Sequence, residues 1–377
     1  MATRARMLIA ALALLLWPVT ANAQADAPIV AAERLADWQL ARLQDTTGMS
    51  HMFETADTRS WMRAAFWIGL TALADHDHSP RFRAAILAMG QGNGWKADDR
   101  PYHADSQAIL QAYLWAVRNG AGAAARAPAK AKFDTILAHP PRVTLAFYTP
   151  PSGNGAPECQ IRWCWSDALF MAPAGWLEMT RQTGDRRYAD FALSEFWATT
   201  NFLYDPKERL FYRDSRFFDR RDADAHKLFW ARGNGWVFAG LARSIPLLPK
   251  GSPDRVKMEA LFREMAARLV AIQKPDGYWA PSLLAPENSP PESSGTGFFT
   301  YGLAWGVRAG LLDRATYETA ARKGWTALTR AIQPDGRLGW VQQVSDQPDK
   351  VAASDTQFYG VGAFLLAATA IADLDGK

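Results

Sequence analysis

The chain has 377 residues, with 42 basic and 38 acidic side chains and a formal net charge of +4. The two signs interleave, so no basic stripe for nucleic acid is present. The 16 Trp, 19 Phe and 10 Tyr residues exceed the two cysteines by so much that packing, not cross-linking, must hold this chain. Some of those aromatics are then available to stack on sugar rings.

The first element in chain order is a leader. Arg4 and Arg6 precede an apolar run from Met7 to Trp17, and Ala21-Asn22-Ala23 is a small-residue cleavage site. That run is too short for a membrane span, which needs roughly 20 residues. The sequence therefore predicts an exported protein, periplasmic or secreted, with a leader at 1–23 and a single domain over 24–377. No later stretch reads as a membrane helix.

Beyond the leader, apolar residues recur at three- and four-residue intervals over 61–74, 108–118, 169–180, 237–248, 258–273 and 298–311. Strict alternation is scarce, and the fold class is all-α. Gln273-Lys274-Pro275-Asp276-Gly277-Tyr278-Trp279 is echoed by Gln333-Pro334-Asp335-Gly336-Arg337-Leu338-Gly339-Trp340, each Pro-Asp-Gly ending a helix. A polar loop and an aromatic-glycine helix start follow each turn. Similar starts lie near Trp61, Ser106, Ala168 and Gly235, giving six units roughly 60 residues long. Each unit is a pair, an apolar inner helix and an amphipathic outer one. Periodicity alone permits an open stack or a closed ring. Polar and aromatic residues gathered at the six starts favour a ring with one polar mouth.

Three clusters could carry chemistry. They are Tyr102-His103-Ala104-Asp105-Ser106-Gln107, the run from Arg162 through Trp163, Cys164, Trp165, Ser166 and Asp167 to Met171, and Phe229-Trp230-Ala231-Arg232-Gly233-Asn234-Gly235-Trp236. Asp105 and Asp167 each precede an apolar helix. One reading makes both of them N-caps. The other makes them a carboxyl pair across a sugar pocket, with Trp163 and Trp165 excluding water and raising a carboxyl pKa. Arg232, between Trp230 and Trp236, offers a planar fork to a carboxylate or stands as a stacked structural arginine. His103 beside Asp105 joins the candidates. Cys159 and Cys164 could close a small loop. No metal motif, nucleophile elbow or phosphate loop occurs, so neither a metal nor an organic cofactor is expected.

At these clusters the chain resembles glycoside hydrolase family 105, the unsaturated rhamnogalacturonyl hydrolases, and more distantly family 88, the unsaturated glucuronyl hydrolases. The matching runs are Trp165-Ser166-Asp167-Ala168-Leu169-Phe170-Met171, Trp230-Ala231-Arg232-Gly233-Asn234-Gly235-Trp236, Ser293-Ser294-Gly295-Thr296 and Tyr359-Gly360-Val361-Gly362-Ala363-Phe364-Leu365-Leu366. The resemblance implies a closed (α/α)6 barrel. It implies hydration of a C4–C5 double bond in a terminal uronate left by a polysaccharide lyase, on pectin-type oligosaccharides. By motif position Asp167 corresponds to the catalytic acid/base and Asp105 to the second pocket aspartate. Trp230, Arg232 and Trp236 correspond to substrate-binding positions, with Trp165, His103 and Arg213 as further candidates. Two departures stand out: Ala156-Pro157-Glu158 and Arg213-Asp214-Ser215-Arg216 lie where histidines are common. The arginines there either serve extra anionic groups or pair with Asp214 and Asp219. Two other functions stay open on the residues alone, a conventional inverting glycosidase and a non-catalytic sugar-binding protein.

Overall fold

A computed structural model describes residues 27–148 and 158–376. The expected leader lies outside the described residues, as do Ala156 and Pro157.

Helices come in outer and inner kinds that alternate along the chain. The outer set is α1 (Pro28–Leu40), α4 (Pro80–Gly92), α6 (Ala127–Ala138), α9 (Arg186–Leu203), α11 (Pro253–Ala271) and α13 (Arg314–Arg330). The inner set is α3 (Trp61–Asp77), α5 (Ala104–Ala116), the broken pair α7 (Ala168–Met171) and α8 (Pro173–Thr183), α10 (Ala231–Ser244), α12 (Ser293–Arg308) and α14 (Phe358–Asp375). A short α2 (Met52–Ala56) precedes α3, and a two-stranded ribbon pairs β1 (Tyr204–Asp205) antiparallel with β2 (Leu210–Phe211). Each inner helix packs on the next, and α14 returns to α3. This is the closed (α/α)6 barrel that the resemblance implied.

Burial explains the two kinds. Outer α13 buries one stripe, Ala320, Ala321, Gly324, Trp325, Ala327 and Leu328, and leaves the rest to solvent. Inner α12 is buried almost all round, including the polar first turn Ser293-Ser294-Gly295-Thr296. Helix α14 is long and apolar enough to cross a membrane, contrary to the expectation that no later stretch would be. Its flanks are covered by α12, α3, α13 and α1, so its apolarity belongs to a core helix.

Inner-ring closure depends on bare backbone. A Cβ on Gly362 would stand 2.2 Å from the Ala65 carbonyl oxygen, and one on Gly69 would stand 2.5 Å from that of Gly362. The α3–α14 seam therefore admits no side chain at either position. The two Pro-Asp-Gly turns also share one geometry. Gly277 and Gly336 take φ values of 95° and 88°, and Asp276 and Asp335 each accept the N–H two residues on. The internal repeat is thus a repeat of structure.

Three expected helices begin later in the sequence reading than in the structure. α5 starts at Ala104, not 108; α10 at Ala231, not 237; α12 at Ser293, not 298. A pattern search starts a helix at its first apolar residue, whereas these inner helices open with polar and glycine turns buried at the mouth. The helix expected over 169–180 is interrupted at Ala172, because Pro173 cannot continue α7.

Candidate active site

Because each outer helix reverses the chain, all six inner helices run the same way and their N-termini meet at one mouth. First-turn N–H groups of α3, α5 and α12 are capped there by Ser60, His103 and Glu292. A cavity of about 430 Å³ opens there, lined by Trp61, His103, Asp105, Trp165, Asp167 and Arg213. Arg100, Glu54, Gln160 and the 344–346 loop complete its wall.

Asp105 is the second residue of α5, so its carboxyl is not the cap. His103 caps instead, Nδ1 accepting from the Asp105 N–H at 3.3 Å. Burial, reinforced by the Arg100 charge, pushes the His103 pKa down to about 3. The ring is neutral, and since Nδ1 accepts, its proton sits on Nε2. The 3.7 Å approach of His103 Nδ1 to Asp105 Oδ2 is accordingly no ion pair. Trp165 holds the imidazole from the other side, ring centroids 4.8 Å apart. Burial pushes Asp105 up to about 7, with Arg100 and Arg213 opposing and Glu54 and Asp98 adding to the rise.

Asp167 stands at the N-cap position of α7 yet makes no capping bond. Its Oδ2 accepts from Ser166 Oγ at 3.0 Å and lies 3.9 Å from Arg213 Nε. Only 8% exposed, it is raised above the ordinary carboxylate range by burial; Arg213 pulls the other way and Asp105 adds to the rise. The two carboxyls thus line one cavity, Asp167 buried and Asp105 half-buried, and both are held above the ordinary carboxylate range. The capping explanation fails for both.

Arg213 is fixed from behind. Its Nη1 donates to Asp214 at 2.8 Å, and its Nε has no hydrogen-bond partner in the protein. Asp214 is fully buried and also binds Arg216 through Nε at 2.9 Å and Nη2 at 2.7 Å. Arg216 goes on to Asp346 at 2.6 Å. The sequence expected Asp214 and Asp219 as partners; the structure supplies Asp214 and Asp346. The disulfide Cys159–Cys164 closes the turn that carries Gln160, just ahead of Trp165.

The third cluster lies behind the cavity wall. Trp230, Arg232 and Trp236 do not line the cavity. Arg232 is 0% exposed, donating to the carbonyls of Gln342 at 2.6 Å and Gln343 at 2.9 Å. Its guanidinium is stacked between Trp230 and Tyr359, 4.4 and 4.6 Å from their centroids. Trp230 Nε1 donates to Gln342 Oε1, and Trp236 packs among Phe170, Phe298 and Trp61. Asn234 clasps β2 through both Phe211 backbone groups. The run is therefore a brace beneath the mouth, holding the loop that delivers 344–346. Trp163 likewise turns outward, onto Phe191 of α9.

Trp61, Arg100, Glu54 and the 344–346 loop were missed as site residues. Trp61 was visible as a helix start and Arg100 stands just ahead of the Tyr102–Gln107 cluster, but nothing local marks Glu54 or the 344–346 loop, which arrive from distant chain segments. Asp222, Asp224 and His226 form a cluster able to hold a cation, on the 222–226 loop and outside the cavity lining.

Known proteins resemble this chain along most of its length. An unsaturated 3S-rhamnoglycuronyl hydrolase of Alteromonas sp. (strain LOR) is 42% identical over 345 residues, 89% of this chain and 84% of that one. One of Formosa agariphila is 37% identical, covering 86% and 87%. A solved polysaccharide lyase superposes with a TM-score of 0.78 at 27% identity, covering 93% of this chain and 98% of the other. The pattern of Glycosyl Hydrolase Family 88 spans residues 31–374, nearly every turn of the barrel just described. Matched over nearly all of its described length, the chain belongs to Glycosyl Hydrolase Family 88.

Proposed function

We propose that this protein is an exported hydrolase that releases a 4,5-unsaturated uronic acid from the non-reducing end of lyase-generated oligosaccharides. The observation that carries it is the pair Asp105 and Asp167, which line one cavity with both carboxyls above the usual carboxylate range beside Arg213. A C4–C5 unsaturated uronate is an enol ether, and its hydration needs a proton donor, not a strong nucleophile. Asp167 suits that role. Its Oδ2 faces Ser166 and Arg213, which leaves the proton on Oδ1.

Asp167 protonates C4 and becomes a carboxylate. That carboxylate takes a proton from water as the oxygen adds to C5. The C5 hemiketal opens to a ketone by breaking the bond from C5 to the ring oxygen, that oxygen stays on C1 as a hydroxyl, and collapse of the C1 hemiacetal to an aldehyde expels the next sugar. One water is consumed and the acid is regenerated. Arg213 and Arg100, both on the cavity wall, favour the substrate carboxylate. His103, neutral and donating from Nε2, and Trp165 shape the pocket.

The relatives named as rhamnoglycuronyl hydrolases support a rhamnose-type leaving sugar. The Cys159–Cys164 bond fits export, since disulfides persist in oxidising compartments; the mature chain should begin at Gln24 on N-terminal sequencing. The test of activity is ultraviolet absorbance of the conjugated enol ether. A hydrolase removes it from an unsaturated disaccharide, whereas a lyase on the same scaffold generates it from a saturated chain. Wild type should remove it, and Asp167→Asn should do so at least about a hundredfold more slowly. Equal rates would take Asp167 out of the mechanism.

A further inference from the structure

The catalytic cavity does not end at Arg100 and Glu54. A second hollow of about 660 Å³ shares both residues and continues outward past Phe53, Asp57, Arg59 and Asp99. Phe53 on α2 is 94% exposed, far more than any other large apolar side chain among the described residues. A single exposed apolar residue is ordinary. This one stands on a segment that is tied down at both ends. Ser50 is held by Gln343 Oε1 at 3.0 Å and by the Val344 N–H at 3.0 Å. Thr55 is buried, its carbonyl accepting from Arg63 Nε at 2.7 Å. An anchored aromatic that stays in water presents a rigid face.

The surroundings suit a sugar. Arg59 is paired with Asp57, so its charge is already neutralised. Glu54 and Asp99 line the hollow as acceptors for hydroxyl groups. A pyranose ring offers C–H bonds to the Phe53 face and hydroxyls to the carboxylates.

We infer that Phe53 is the platform of a distal subsite, stacking on the sugar ring beyond the leaving group and giving the enzyme a preference for longer oligosaccharides. This rests on the function proposed above. It is tested with an unsaturated disaccharide and an unsaturated tetrasaccharide from one lyase digest. Wild type should show the higher kcat/KM on the tetrasaccharide. Phe53→Ala should lower that value about threefold to tenfold through KM, the range of aromatic contacts, while disaccharide turnover is unchanged; Phe53→Tyr should retain the preference. A wild-type enzyme that turns over neither substrate would overturn the proposed function itself. Normal disaccharide turnover with a tetrasaccharide advantage that is absent, or that survives Phe53→Ala, overturns the platform alone.

Discussion

Two carboxyls that look alike in sequence are set apart here by one helical turn of context. Asp105 gains no capping bond because His103 takes that position, and burial carries its pKa to about 7. Asp105 therefore loses its proton as pH rises through about 7, and kcat/KM on an unsaturated disaccharide, which needs Asp167 protonated, should fall at alkaline pH. Stability follows the same group. A carboxyl whose folded pKa is raised binds more protons folded than unfolded between 3.8 and about 7, so its contribution is lost as pH climbs through that window. Asp105→Asn removes the penalty of burying a charge. Its melting temperature should exceed wild type at pH 8, and the gain should vanish by pH 4. A gain independent of pH would show that Asp105 ionises freely. Both aspartates could be found from their aromatic neighbours. Arg232 could not be placed, since an arginine between two tryptophans has the same local pattern whether it faces a ligand or a backbone carbonyl.

At the scale of elements, the Trp230–Trp236 run and the 342–346 loop behave as one unit. Gln342 is its hub, accepting from Trp230 Nε1, Arg232 Nη1 and the Tyr359 hydroxyl. Arg232→Met would strip two charged hydrogen bonds and leave the Gln342 and Gln343 carbonyls short of donors. We expect a loss of about 3 kcal/mol in denaturant unfolding, with the damage to KM arising from a displaced 344–346 loop. A substrate-binding arginine would instead raise KM with stability intact. The existence and order of these elements were legible from periodicity. Their starts were not, because first turns made of Arg-Gly-Asn-Gly or Ser-Ser-Gly-Thr carry no apolar signal.

For the whole molecule, closure is the decisive event, and it runs through the α3–α14 seam. Gly362→Ala places a methyl against the Ala65 carbonyl. Overpacking of this kind costs about 1–3 kcal/mol, read as a lowered melting temperature. Gly376→Ala, whose Cβ would meet nothing nearer than 3.7 Å, should leave it unchanged. Helical class, six-unit repeat, polar mouth and the two aspartates were determined by the sequence itself, because periodicity and turn chemistry are local properties. The burial that raises both carboxyls, the choice of Arg213 over Arg232 to line the cavity, and the Phe53 cleft were decided only by tertiary structure. Each depends on what residues far away in the chain place within a few ångströms, and no local pattern encodes that.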